Sequence, residues 1–276
     1  MDSDSFSGAK QDRYTHGHTE PVLRSHSSRS VENSLAYGMD RLEPGMEVLD
    51  LGCGPGTITA GIARLVAPGT VVGVDMESDV LERARTYALS QHITNVEFQQ
   101  MNAYDLQFDD NRFDFAHAHQ VLQHVSDPVG VLEEMIRVTK PGGWIAVRDA
   151  DYSSFAWYPM DDRLDRWLEL YMAMAEINGG EPDAGRYLLA WAHQAGLSEV
   201  VATSSTWTYT AGESALTWGK TWSDRILDSA LTGQLIESGL ASIDELRGIS
   251  QAWLEWSRSP DAWFMVPSAE ILAVVP

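Results

Sequence analysis

The sequence predicts an α/β fold, a mostly parallel sheet with helices on both faces, and three observations predict it. Val48 to Leu51 is a short apolar strand that runs straight into the glycine-rich turn Gly52-Cys53-Gly54-Pro55-Gly56 and then a helix. A second apolar strand, Thr70 to Asp75, ends in an acid 25 residues after Asp50. Beyond it, short apolar runs keep alternating with helix-length amphipathic segments, the pattern of successive βαβ units with right-handed crossovers.

Taken in order, residues 1–12 are polar and Ser-rich and are expected to be a disordered tail. From Ser30 to Leu42, Val31, Leu35, Met39 and Leu42 recur at helical spacing, and Pro44-Gly45 ends that helix. The first crossover helix, Pro55 to Val66, should face the sheet with Ile58, Ile62 and Leu65, and Pro68-Gly69 turns into the second strand. Ser78 is the expected N-cap of the next helix, which runs to Ser90 with Val80, Leu81, Ala84 and Ala88 inward. Asn95 to Gln100 is the third strand, and Phe113 to Ala118 the fourth, after the Asp109-Asp110-Asn111 turn. A helix from Pro128 to Thr139 buries Val131, Leu132, Met135 and Ile136, Lys140-Pro141-Gly142-Gly143 breaks it, and Trp144 to Arg148 is the fifth strand.

After Asp151 the pattern changes. Helices are expected at Asp161–Asn178 and Asp183–Gln194, a sixth strand at Glu199–Tyr209, two more helices at Glu213–Leu231 and Ile243–Arg258, and a closing strand at Glu270–Val275. The chain divides accordingly into a tail (1–12), an N-terminal segment and helix (13–43), a ligand-binding core (44–150), and a last part (151–276) that completes the sheet and adds helices.

Composition narrows the function classes. The net charge is −21, from 40 acids against 19 Lys and Arg, and such a surface repels phosphate backbones, so a nucleic-acid partner is not expected. No apolar run approaches the ~20 residues of a membrane span, and the N-terminus lacks the apolar stretch of a signal peptide. A cytoplasmic protein is the expectation. The single cysteine, Cys53, excludes an intramolecular disulfide and a multi-cysteine zinc site. An apolar excess in the last third permits a homodimer.

The glycine turn lets backbone approach a nucleotide-like ligand, since glycine has no Cβ to block it. An acid ending the second strand can accept hydrogen bonds from two ribose hydroxyls, which points to an adenosine-containing cofactor. The spacing G-x-G-x-G differs from the dinucleotide fingerprint, and the turn holds no basic residue to face a pyrophosphate. Taken together, Val48 to Gly56, Asp75, Asn102-Ala103, Phe113-Asp114 and Pro141-Gly142-Gly143 resemble the ordered motifs of class I S-adenosylmethionine-dependent methyltransferases, in the ubiquinone/menaquinone-biosynthesis-like branch.

That resemblance covers residues 45–150 and implies a Rossmann-like seven-stranded sheet with an added helical substrate lobe. It implies S-adenosylmethionine as cofactor and S-adenosylhomocysteine as product. Gly52, Gly54 and Gly56 would cradle the methionine moiety, Asp75 would hold the ribose, Met76 would pack on the adenine, and Asn102 and Ala103 would address its amino edge. Many relatives have Asp in place of Asn102. His119 and Gln120 would contact the methionine end, and Tyr14 to His26 would close the site as a lid. Asp50 is left with two roles, a link to the methionine amino group or support of the glycine turn.

Methyl transfer is an in-line displacement, so the protein mainly aligns the reactants and excludes water. A general base is needed only for a hydroxyl or protonated amine, and His124, then His18, are the candidates. His117 is expected to point to the opposite face from His119. His117, His119 and His124 lack a carboxylate to complete a metal site, so none is expected. Asp149 and Asp151 follow the fifth strand and could bind a cationic or hydroxylated substrate, with solvated carboxylates the preferred expectation. All ten tryptophans lie after residue 140, which suits a flat, small-molecule acceptor as well as ordinary core. A quinone-biosynthetic C-methyltransferase, a protein methyltransferase and a non-catalytic cofactor-binding protein stand as alternatives.

Overall fold

The computed structural model describes Thr15 and residues 29–276. Five strands, β1 (Glu47–Leu51), β2 (Thr70–Asp75), β3 (Val96–Gln100), β4 (Phe113–His119) and β5 (Thr139–Ala150), form the parallel part of one eight-stranded sheet. Their order, β3-β2-β1-β4-β5, places successive strands outward on one side of β1 and then on the other. The reversal falls between β1 and β4, where an open α/β sheet leaves a crevice at its carboxyl edge.

The sheet ends with β6 (Ala156–Tyr158), β7 (Val200–Thr210) and β8 (Trp263–Val274). β8 runs antiparallel to β5 from Trp144↔Val274 to Ala150↔Ser268, and its first residues continue along that edge against β6. Its other edge carries β7 over the full length, Val200↔Ala273 to Thr210↔Trp263.

The helices are α1 (Val31–Ser34), α2 (Thr57–Val66), α3 (Ser78–Ser90), α4 (Pro128–Val138), α5 (Asp162–Ile177), α6 (Ala184–Gln194), α7 (Glu213–Arg225), α8 (Ala230–Glu237) and α9 (Ile243–Ser257). Alternation along β1 sends Val48 to one layer, with Ile58, Ile62 and Leu81, and Leu49 to the other, with Val131, Leu132 and Leu188. A third apolar cluster is aromatic and lies beyond the sheet's end, built around Trp167, Trp222, Trp253 and Phe264.

Several expectations are corrected. The helix over Ser30–Leu42 stops after four residues and resumes only as a 3₁₀ turn at Met39–Arg41, with Gly38, a poor helix former, between them. Leu65 is 38 % exposed, because Ile58, Ile62 and Val66 already occupy the inward stripe of α2. The residue before α3 is Glu77, and Ser78 lies inside the helix. The helix over Glu213–Leu231 is divided, since Ser229 forms a capping box with Thr232 and starts α8. β5 includes the Lys140-Pro141-Gly142-Gly143 segment, whose Gly142 N–H donates to Val275 at 2.8 Å. β8 begins seven residues before Glu270, and the three-residue β6 raises the count from seven strands to eight. The disordered-tail and lid expectations, and His18, fall outside the described residues. No described helix is long and apolar enough to cross a membrane.

Candidate active site

At the crevice, the chain leaves β1 in left-handed backbone at Gly52 (φ +67°), Gly54 (φ +53°) and Gly56 (φ +78°). A side chain at Gly52 would meet Val121 Cγ2 at 2.4 Å, so this glycine lets the turn after β1 close against the turn after β4. Around Gly54 a Cβ would meet nothing within 4 Å, and its N–H donates to Asp75 Oδ2 at 3.0 Å. The acid that ends β2 thus braces the turn that ends β1, while its Oδ1 accepts from Glu77 N–H at 3.2 Å. Gly56 differs from the other two. It does not line the cavity, and a Cβ there would press on Ala84 and Phe98, so it serves close helix–strand packing.

Asp50 is buried, with Thr59 Oγ1 donating to Oδ2 at 2.5 Å and His117 Nδ1 lying 2.7 Å from Oδ1. Both of its oxygens are engaged by α2 and β4, which supports the glycine turn. Asn102 is also buried, and its Oδ1 accepts from Tyr104 N–H at 3.0 Å, bending the chain after β3. Met76 is 44 % exposed at the cavity wall, with Ala103 lining the same space. Cys53 lines it too, and burial, with Asp75 and Asp50 nearby, pushes its thiol well above the ordinary range.

After β4, Gln120 takes left-handed backbone (φ +54°), donates its N–H to Arg148 O at 2.7 Å, and accepts from Arg29 through its side chain. The expectation that His117 and His119 face opposite ways is wrong. Residues two apart on a strand share a face, and the two rings stack 6.4 Å apart at 16°. His119 also lies 5.6 Å from Trp207. His124 ends a 3₁₀ turn, Leu122–His124, and lines the cavity. Among the described residues no group of three or more His, Cys, Asp or Glu side chains is placed to hold a metal ion.

Asp149 and Asp151 are not solvated. Asp149 is fully buried where β5 meets the turn after β4, and burial lifts its carboxyl to about 7 against backbone N–H bonds from Gln123 and Leu122. Burial works against the charge of Asp151 too, but Arg186 holds it with two bonds of 2.6 Å and keeps its carboxyl below the ordinary range. Next to them Arg148 is buried against Glu270 (3.3 Å) and over Trp207 (4.5 Å to the ring).

These loops enclose one cavity of about 270 Å³. Asp50, Gly52, Gly54, Asp75, Met76, Asn102, Ala103, His119, Gln120 and His124 all line it. Its other end is aromatic, with Tyr152, Phe155, Trp207, Tyr209, Trp218 and Trp222, and two guanidiniums, Arg29 and Arg225, complete the wall. Trp218 stacks on Tyr209 at 4.2 Å, Arg225 lies 4.3 Å over Trp222, and burial lifts the Tyr209 hydroxyl to about 12. The tryptophans are visible in the sequence as a group. Arg29, Tyr104, Gln123 and Arg225 carry no local signal and were not expected.

Comparison with known proteins agrees with this layout. Residues 42–211 match the family model described as a methyltransferase domain. An uncharacterized methyltransferase of Schizosaccharomyces pombe is 31 % identical over 268 residues, covering 94 % of this chain and 95 % of the relative. The ubiquinone/menaquinone biosynthesis C-methyltransferase of Vibrio vulnificus is 34 % identical over 148 residues, 52 % of this chain and 56 % of its own length. Among solved structures, phosphoethanolamine N-methyltransferase 2 of Haemonchus contortus, in complex with phosphomonomethylethanolamine and S-adenosylhomocysteine, superposes with TM-score 0.54 at 16 % identity, over 87 % of this chain and 52 % of that one. A methyltransferase from Aquifex aeolicus gives 0.50 at 17 % identity, over 91 % and 99 %. With a family model over more than half its length and a relative aligned almost end to end, the chain belongs to the class I S-adenosylmethionine-dependent methyltransferases.

Proposed function

We propose that the chain transfers a methyl group from S-adenosylmethionine to a small, flat acceptor held between the glycine turn and the aromatic lobe. The observation that carries this is one continuous cavity lined both by strand termini and glycines and by aromatic rings. When bound, the cofactor supplies an electrophilic methyl group on a sulfonium. Residues 44–150 hold it and residues 151–276 shape the acceptor end.

The residues present fit such a cofactor. Gly52 and Gly54 leave backbone bare at the cavity wall, and the Asp75 carboxylate stands at the end of β2. In this reading Asp75 accepts the ribose hydroxyls, Met76 packs on the adenine, and Asn102 and Ala103 address its edge. His119 and Gln120 border the methionine end, and Asp50 orients the turn through Thr59 and His117. Trp218, Tyr209 and Trp222 line the acceptor end, where their rings shape an apolar space for a planar acceptor and keep water away from it.

The test is calorimetric titration with S-adenosylmethionine, S-adenosylhomocysteine and NAD, followed by turnover against a panel of aromatic hydroxy and carboxylic acids. Micromolar binding of the two adenosyl ligands, none of NAD, and methylation of at least one planar acceptor are the expected outcome. Binding without turnover of any acceptor would replace this reading with that of a non-catalytic cofactor-binding protein.

A further inference from the structure

A buried ion pair stands on one face of the sheet behind the cavity wall. Register places Arg148 of β5 beside Glu270 of β8, and Glu270 beside Thr203 of β7, so the three side chains form one row across the strands. Arg148 is fully buried, does not itself line the cavity, and has its Nε 3.3 Å from Glu270 Oε1. Glu270 is held in turn by Thr203 Oγ1, which donates to Oε2 at 2.8 Å, and by the Ser205 hydroxyl. One edge of the guanidinium is thus fixed against a carboxylate that is itself fixed, while its carbon stands 4.5 Å from the centre of the Trp207 ring. Trp207 lines the cavity, and its Nε1–H donates to Asn33 O at 2.9 Å. A bond at one edge pins a point of the ring and leaves the ring to tilt about it. The His119 ring (5.6 Å) and Arg29 (5.9 Å) stand farther from Trp207 than Arg148 does. Burial works against the charge of Arg148, and a buried ion pair commonly adds little stability over apolar side chains of similar volume. What a guanidinium supplies and an apolar chain lacks is a rigid, charged plate laid against an aromatic ring.

We propose that Arg148, anchored by Glu270, is a positioning residue that holds the Trp207 ring at one tilt in the cavity wall and so sets which planar acceptors fit, without touching them. The backbone of the same residue serves the other end of the cavity, since Gln120 N–H donates to Arg148 O at 2.7 Å. That bond survives any side chain at position 148, so a change of side chain separates the two ends. With the plate removed, the ring samples several tilts and must be ordered when the acceptor binds, which weakens the acceptor and leaves the cofactor as it was. The consequence for the acceptor rests on the methyl-transfer reading of this cavity; the tilt of the ring does not.

The test is ¹⁹F spectroscopy of protein labelled with 5-fluorotryptophan, with the Trp207 line identified by its absence from Trp207→Phe. Two variants remove the plate in different ways. Arg148→Met combined with Glu270→Gln removes both charges together, so neither is left buried alone, and the amide still accepts from Thr203 and Ser205. Arg148→Lys keeps a charge opposite Glu270 but has no planar group, and it carries the test if the double variant does not fold. One narrow Trp207 line is expected in the wild type, broadened or split in each folded variant. A line as narrow as wild type in the variants would overturn the proposal. In turnover, acceptor KM should rise by about threefold to tenfold, the worth of one cation–ring contact, with cofactor Kd unmoved. A matching rise in cofactor Kd would mean a general loosening of the fold and would overturn the positioning role. The spectrum needs neither cofactor nor acceptor. A broadened line in a protein that methylates nothing therefore sinks the functional reading alone, and an unchanged line in an active enzyme sinks this inference alone.

Discussion

The two ends of the cavity are built on different principles. The turn-and-strand end comes from the termini of β1, β2, β3 and β4, all within residues 50–120, and rests on aliphatic layers in which Val48, Leu49, Ile62 and Val71 are fully buried. The aromatic end draws on side chains from Tyr152 to Val266, and is backed by Trp167 at 4.5 Å from Trp222 and 4.9 Å from Trp253. At the first end, backbone direction and glycine conformation set the chemistry. At the second, packed rings set it, and a change of ring reshapes the wall while the sheet stays intact. One fold can thus keep its cofactor and change its acceptor.

Four substitutions break or sharpen that contrast. Trp167→Ala removes the centre of the aromatic cluster and should destabilise the protein by about 3–5 kcal/mol in denaturant titration. The fraction that remains folded should bind cofactor normally, and a matching loss of cofactor affinity would erase the division between the two ends. Asp75→Ala acts at the other end, weakening cofactor binding by about 1–3 kcal/mol in calorimetry with little change in acceptor KM. Unchanged affinity would remove Asp75 from the ribose role. Trp218→Ala deletes the ring stacked on Tyr209 and should raise acceptor KM by about threefold to tenfold, the worth of one aromatic pair, with cofactor Kd unmoved.

Asp149→Asn changes a pH dependence and bears on the junction between the ends. The Asp149 carboxyl is raised from an ordinary 3.8 to about 7, so the folded state holds a proton that the unfolded state has lost. Its stabilising contribution is complete below pH 3.8 and disappears as pH rises through about 7. Wild-type thermal stability should therefore fall more between pH 5 and pH 8 than that of the Asn variant, which keeps the acceptor for Gln123 N–H. Parallel curves would show that Asp149 titrates normally.

The same contrast explains what the sequence discloses. Gly52, Gly54, Asp75 and Asn102 are legible because each stands at a strand terminus, and strand alternation is a local signal. His117 and His119 share a face because the strand period is two, a rule that the expectation of opposite faces misapplied. Asp149 and Asp151 look like surface acids in the chain and become buried only when β8 and α6 cover β5, a long-range event. Arg225 and Gln123 reach the cavity through a helix end and a 3₁₀ turn whose directions depend on tertiary packing. β6 has three residues, too few for any periodicity.

Cys53, the chain's one cysteine, sits in the wall of the cavity with its thiol held protonated. Thiol reagents attack the thiolate and need physical access, so this sulfur should be consumed slowly at neutral pH. The half-life of the free thiol then reports on occupancy of the cavity: it lengthens when a ligand fills the space beside it.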